Sequence, residues 1–140
     1  MTTFTFRRSL TIAWGDCDPA GIVFNPRFFE MFDVSSWQMF GAALGMKAEH
    51  INATYGIVGI ALVDARANFM KPARFGDTVE IVSRVKEFHR SSFEVEHRLM
   101  IGGDVAVEGQ ETRVWAARRE DAPDQIRAAT IPDEVIKKFG

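Results

Sequence analysis

The segment WGDCDPAGIVFNPRFFEMF, Trp14 to Phe32, sets two carboxylates and the chain's one cysteine in a Pro/Gly loop ahead of an aromatic helix. A carboxylate near a helix N-terminus gains roughly 0.3–1 kcal/mol from the macrodipole, so Asp16 and Asp18 could be turn formers alone. The same place also offers free helix N–H groups, which bind anions. A carbonyl oxygen docked on the N–H of Asn25 or a neighbour would be polarised before attack, an effect worth about 10²–10³ in rate. Asp18 would then attack as a nucleophile or activate a water as general base. Cys17 is the rival nucleophile. Its thiolate needs a partner, and His50, His89 and His97 all lie far along the chain. Flanking aspartates also raise a thiol pKa by like-charge repulsion. Cys17 is read as a small loop or core residue.

The elements that must hold this loop follow from patterning. Phe4, Phe6, Leu10, Ile12 and Trp14 alternate with polar residues, the mark of a half-buried strand. Asn25 suits an N-cap and Pro26 the first helical position, and the helix runs to about Leu44 with Gly45 just beyond. Four extended runs come later: Ile57 to Phe69, Thr78 to Phe88, Ser92 to Ile101 and Val105 to Ala117. The turns FGD (Phe75 to Asp77), HRS (His89 to Ser91) and GGD (Gly102 to Asp104) separate them. KAEHINATYG predicts a short helix or irregular connection, EDAPDQIRAAT a polar tail, and IPDEVIKKFG a short terminal helix. A long helix laid on an antiparallel sheet makes the class α+β. On the helix, Phe28, Phe29, Phe32, Met39, Phe40 and Leu44 share one arc. Asp33 falls inside that arc, between Phe29 and Leu44. A carboxylate there needs a partner, or else it borders a ligand pocket.

Composition bounds the function. A chain of 140 residues with 46% hydrophobic content builds one domain, residues 1–140, with a proper core. A net charge of −2 argues against a nucleic-acid binder. No apolar run approaches a membrane span, and MTTFTFRRSL lacks the apolar stretch of a signal peptide. One cysteine suits a reducing cytoplasm, and cysteine and histidine are too few and scattered for a zinc site. The expectation is a cytoplasmic protein with no membrane partner, no metal and no separate cofactor.

GDCDPAGIVFNPRFF, followed by ANFMKPARFGDTVEI and RSSFEVEH, closely resembles the hot-dog acyl-CoA thioesterases of the 4-hydroxybenzoyl-CoA thioesterase type, from about Phe6 to Arg127. The resemblance implies a hot-dog fold, a long helix wrapped by a five-stranded antiparallel sheet, and a homo-oligomer, dimer or tetramer, with sheets joined edge to edge. It implies an acyl-CoA substrate, with CoA belonging to the substrate. Asp18 matches the family's nucleophile or general base, and the backbone N–H at Asn25 its carbonyl-oxygen donor. Asp33 matches an acidic residue of the helix, giving the acyl pocket a polar end suited to a ring hydroxyl. Arg90, Ser91 and Arg127 fall on the family's CoA-binding positions. Where the 4-hydroxybenzoyl branch has a tyrosine, this chain has Asn25. Where that branch flanks the turn arginine with basic residues, this chain has His89 and Ser91.

The expected activity is hydrolysis of aromatic or short acyl-CoA thioesters to free acid and CoA. The alternatives are a thioesterase acting on acyl carrier protein, and a hot-dog protein that binds an acyl thioester or small ligand without turnover. A hydratase is disfavoured, because no histidine follows Asp16 or Asp18 within the loop or helix.

Overall fold

In the computed structural model, which describes residues 2–140, β1 (Phe6–Thr11) leads through the loop to α1 (Pro26–Leu44). A short α2 (Ile51–Tyr55) follows, then β2 (Gly59–Phe69), β3 (Thr78–Phe88), β4 (Ser92–Ile101) and β5 (Asp104–Arg118). A three-residue β6 (Ile126–Ala128) and α3 (Asp133–Lys137) complete the chain. The strands form one antiparallel sheet in the order β1-β3-β4-β5-β2, with β6 added along β5. This is the α+β architecture expected. The second strand starts at Gly59 rather than Ile57, and the fifth runs one residue further at each end. The tail expected to be merely polar carries β6, held by backbone pairing of Ala116, Ala117 and Arg118 with Ala128, Arg127 and Ile126.

Alternation places the core. Val79, Ile81, Ser83 and Val85 of β3 are buried, as are Phe93, Val95, His97 and Leu99 of β4 and Val107, Gly109, Glu111, Arg113 and Trp115 of β5. α1 lays Phe28, Met31, Phe32, Ser35, Ser36, Met39, Phe40 and Leu44 against that face. Each large apolar side chain so buried contributes about 1.5–3 kcal/mol. Phe32 sets how closely helix and sheet approach. Its ring stacks on the imidazole of His97, with centroids 4.7 Å apart and planes 4° apart. It also lies against Gly109, the cross-strand partner of His97, where an added Cβ would stand 2.6 Å from the ring.

The inward face also carries charge. Arg113 is 1% exposed and pairs with Glu111 at 2.8 Å. Ser36 donates to Glu111 Oε1 at 2.6 Å, and His97 Nε2 lies 3.2 Å from the same oxygen. His97 Nδ1 lies 2.7 Å from Ser83 Oγ. Burial by itself would raise the Glu111 carboxyl, but the hydrogen bonds and charges of His97 and Arg113 outweigh it and hold it at about 2.

Two outcomes follow from this packing. Gly109→Ala forces a methyl group into a stacked, buried ring, and is expected to lose about 1–3 kcal/mol of stability in urea denaturation. Unchanged stability would mean that Phe32 is free to move aside. The depressed Glu111 contributes stability that is full above its unfolded value of 4.5 and is lost as pH falls from there toward 2. Denaturation midpoints from pH 6 to pH 2.5 should therefore fall more steeply for the natural protein than for Glu111→Gln, and parallel slopes would contradict the assignment.

Candidate active site

The loop after β1 doubles back on itself as a narrow ladder. The Asp18 N–H donates to Ile22 O at 2.9 Å, Cys17 and Val23 form a bridge, and the Phe24 N–H donates to Asp16 O at 2.9 Å. Gly21 turns the tip with φ +80°, a left-handed conformation that favours glycine. The two aspartates have separate roles. Asp16 closes its own 3-10 turn, accepting the Ala13 N–H on Oδ2 at 3.0 Å, and its carbonyl anchors the residue before Asn25. Asp18 accepts the Ala20 N–H on Oδ1 at 2.8 Å. Its Oδ2 has no donor among the described residues.

At the start of α1, Asn25 holds the expected N-cap position ahead of Pro26, but without the side-chain cap. Its backbone is already helical, with φ −48° and ψ −41°, and its side chain makes no capping hydrogen bond. The first turn opens a residue earlier, where Phe24 O accepts the Arg27 N–H at 2.8 Å. The result leaves one donor over. Phe24, Arg27 and Phe28 have committed N–H groups, Pro26 has none, and the Asn25 N–H meets no acceptor among the described residues.

Beside it lies a recess of about 220 Å³ lined by Ile22, Val23, Asn25, Phe28 and the segment Phe69–Ala73. Asp18 flanks this recess through its pairing with Ile22 and does not line it. Phe69 packs against Phe28 and Phe29, with ring centroids 5.7 and 6.5 Å away. The Phe69–Ala73 wall escaped the sequence reading; an apolar Phe69–Met70 pair just before Pro72 was its signal. A larger recess, about 310 Å³, lies on the outer face of the sheet among Arg7, Glu80 and Arg98, away from this chemistry.

Asp33 has the partner its apolar setting demanded. Its Oδ1 accepts from Arg113 Nη2 at 2.6 Å, while the side chain stays 47% exposed. Arg113, Glu111 and His97 were not singled out in the sequence, although the period of two along β5 places Glu111 and Arg113 on the same face as Val107 and Trp115. Burial first, then the charges of Asp16 and Asp18, push the Cys17 thiol up, and Sγ donates to Ala13 O at 3.6 Å. No imidazole bonds to it among the described residues.

The remaining site residues gather elsewhere. Arg90 donates to Thr130 Oγ1 at 2.7 Å, Ser91 O accepts the Trp115 N–H, and Arg127 pairs with Ala117. These place Arg90, Ser91 and Arg127 together at the far end of β3 from the loop, since Thr11 pairs with Thr78 and Arg90 follows Phe88. Eleven residues of β3 separate the two groups, roughly 30 Å of strand. A single chain does not bring Asp18 and Arg127 together. Near that far end, Glu87, His89 and Glu94 hold ligand atoms within 4.8 Å of one another, with His89 Nε2 3.1 Å from Glu94. These are groups of metal-ligand type that counting cysteine and histidine alone did not reveal. None of the described helices is long and apolar enough to cross a membrane.

Comparison with known proteins places this geometry. The chain is 33% identical over 139 residues to a 4-hydroxybenzoyl-CoA thioesterase of Pseudomonas sp. strain CBS-3, covering 93% of this chain and 96% of that protein. It is 29% identical over 99 residues to a 1,4-dihydroxy-2-naphthoyl-CoA hydrolase of Synechococcus elongatus, covering 71% of each. The crystal structure of the Pseudomonas enzyme superposes with a TM-score of 0.85 at 29% identity, covering 96% of this chain and 98% of that one. A mutant of a 4-hydroxybenzoyl CoA thioesterase, complexed with 4-hydroxybenzoyl CoA, gives 0.86 at 28%, covering 97% and 99%. Residues 12–139 match the model of the thioesterase-like superfamily, and the chain, a hot-dog protein whose loop, helix start and strands β2 to β6 lie within that match, belongs to this family.

Proposed function

We propose that this protein hydrolyses acyl-CoA thioesters of aromatic acids, releasing free acid and CoA. The observation that carries the reading is the uncommitted Asn25 N–H at the start of α1, lining an aromatic recess that the Asp18 strand flanks through Ile22. In this reading the thioester carbonyl oxygen accepts the Asn25 N–H, and the helix dipole adds to the polarisation. Asp18 Oδ2 then attacks the carbonyl carbon, expelling CoA thiolate and leaving an anhydride that water cleaves. Alternatively Asp18 takes a proton from the water that attacks. Both routes consume one water and yield acid and thiol. Phe28, Phe29 and Phe69 supply the walls for a flat acyl group. The likeness to a 4-hydroxybenzoyl-CoA thioesterase and a 1,4-dihydroxy-2-naphthoyl-CoA hydrolase supports both the reaction and an aromatic acyl group.

The active assembly in this proposal is a homo-oligomer. β2 is one of the two edge strands of the sheet, and it exposes Leu62, Val63 and Phe69, with Met70 following. An open apolar edge of this kind calls for a partner. Antiparallel pairing of β2 with its own copy about a two-fold axis would set the Gly59 end of one chain beside the Phe69 end of the other. The Gly59 end carries β6 and Arg127, because Gly59 and Ala128 both pair with Ala116. The partner would thus bring Arg90, Ser91 and Arg127 toward this chain's Asp18, where they would hold the CoA phosphates.

Thiol release from acyl-CoAs tests the proposal. Asp18→Asn is expected to lower kcat by at least about 10²-fold on any ester that the natural protein turns over. Activity essentially unchanged in the variant, or tight binding of the esters with no thiol release by the natural protein, would overturn it. Arg127→Ala is expected to raise KM several-fold with kcat nearly unchanged, the signature of lost uniform binding. A matching fall in kcat would place Arg127 elsewhere in the mechanism.

A further inference from the structure

The proposed reaction uses none of the buried charges of β5, yet one of them is tied to Asp33, the half-exposed carboxylate on α1. Arg113 is fixed on every side. Its Nε and Nη2 donate to the two oxygens of Glu111 at 2.8 and 3.1 Å, and its Nη1 donates to Ile60 O at 2.8 Å. The same Nη2 reaches Asp33 Oδ1 at 2.6 Å. Glu111 is held in turn by Ser36 and His97, and His97 by Ser83. Every member of this chain is buried except Asp33, where it meets solvent. Asp33 commits one oxygen to Arg113, and its Oδ2 has no donor among the described residues.

The position of that oxygen gives the network its use. Asp33 stands eight residues beyond Asn25 on α1, about 12 Å along the axis. Phe29 lies between them, edge-on to Phe69. A single aromatic ring with one hydrogen bond at each end spans a comparable distance. With its carbonyl oxygen on the Asn25 N–H, such a ring would reach the level of Asp33 along the helix. A carboxylate accepts hydrogen bonds and donates none, so it favours a hydroxyl there and disfavours a second carboxylate.

We propose that Arg113 is a positioning residue for acyl selection: it holds Asp33, to which the family resemblance already assigns the polar end of the acyl pocket, from within the core so that the free oxygen meets a hydroxyl on the distal edge of the acyl ring. This rests on the thioesterase reading and deepens it. The guanidinium is needed for its shape as well as its charge. Only a planar fork serves Glu111, the Ile60 carbonyl and Asp33 at once, and a lysine ammonium does not.

The test is the ratio of kcat/KM for 4-hydroxybenzoyl-CoA to that for benzoyl-CoA, read by thiol release. The natural protein should favour the hydroxylated ester by about 10-fold or more, the worth of one hydrogen bond to a charged group. Asp33→Ala should abolish that preference. Arg113→Lys, which keeps the charge, should lower it toward the same value, and should lower it no further when added to Asp33→Ala. A purely structural Arg113 would slow both esters alike and leave the ratio standing, and that result overturns the proposal. Should Arg113→Lys melt below the assay temperature, Glu111→Gln decides: a reduced preference supports the inference and an unchanged one overturns it. A natural protein that releases thiol from both esters without preference sinks this inference alone. One that releases thiol from neither, nor from any other acyl-CoA, sinks the thioesterase reading beneath it.

Discussion

The depth at which α1 sits in the sheet governs everything the candidate site contains. A helix whose N-terminal N–H polarises a carbonyl must be fixed to a fraction of an ångström, because electrostatic stabilisation of this kind depends on a donor already in place. The apolar face from Phe28 to Leu44 supplies the driving force but does not by itself choose a height, since hydrophobic burial is non-directional. Phe32 supplies the choice. It rests on the bare backbone of Gly109 and stacks on the ring of His97, and neither neighbour can give way cheaply. The helix start is held independently from the other side, where Asp16 O accepts the Phe24 N–H and Ala73 O the Val23 N–H. Core packing and loop ladder thus converge on the one residue, Asn25, whose N–H is left over.

A core that needed only stability would not carry Glu111, Arg113 and His97. Desolvating such charges is costly, and an apolar replacement of similar volume is often as stable. The network is tolerated because it is complete: Ser36, Ser83 and the Ile60 carbonyl use the donors and acceptors that the ion pair leaves over. It also joins four elements, α1, β2, β4 and β5, through directional bonds, with β3 added by Ser83. Directional bonds fix register and rotation where packing fixes distance.

Much of this was legible in the sequence, for stated physical reasons. Turn formers at Phe75–Asp77, His89–Ser91 and Gly102–Asp104 bounded β3, β4 and β5 to within a residue, because glycine and short polar side chains end strands sharply. Pro26 and Gly45 bounded α1 in the same way. Three residues of β6 have no period to detect, and only backbone pairing with β5 makes them a strand. Asn25 stands at the N-cap as its residue type suggests, but its side chain caps nothing, because the Arg27 and Phe28 N–H groups it would accept are already bonded to the carbonyls of Phe24 and Asn25. The charged pair on β5 was hidden by its chemistry: Glu111 and Arg113 read as solvent-facing, yet their parity with Val107, Gly109 and Trp115 put them inward. A charged residue at an inward position is therefore a question to ask of any strand, since it must find a partner across the core. Here the partner was Asp33, the one helix residue that had already seemed out of place.

What the sequence concealed most completely is that its two sets of site residues do not share an end of the molecule. Local motifs name residues, but only topology places them, and the antiparallel order sets the Asp18 loop and the Arg90–Arg127 cluster at opposite ends of β3. In the proposed reading a long substrate suits such a division. Charge recognition of phosphates at one end can be strong without placing a guanidinium against Asp18, where it would lower the basicity that attack requires. The carbonyl end needs only a neutral backbone donor and an apolar wall. Binding energy gathered remotely then serves to orient the reacting bond. It reaches that bond only if the two ends meet, and the proposed two-fold join along the exposed β2 edge would bring them together from separate copies.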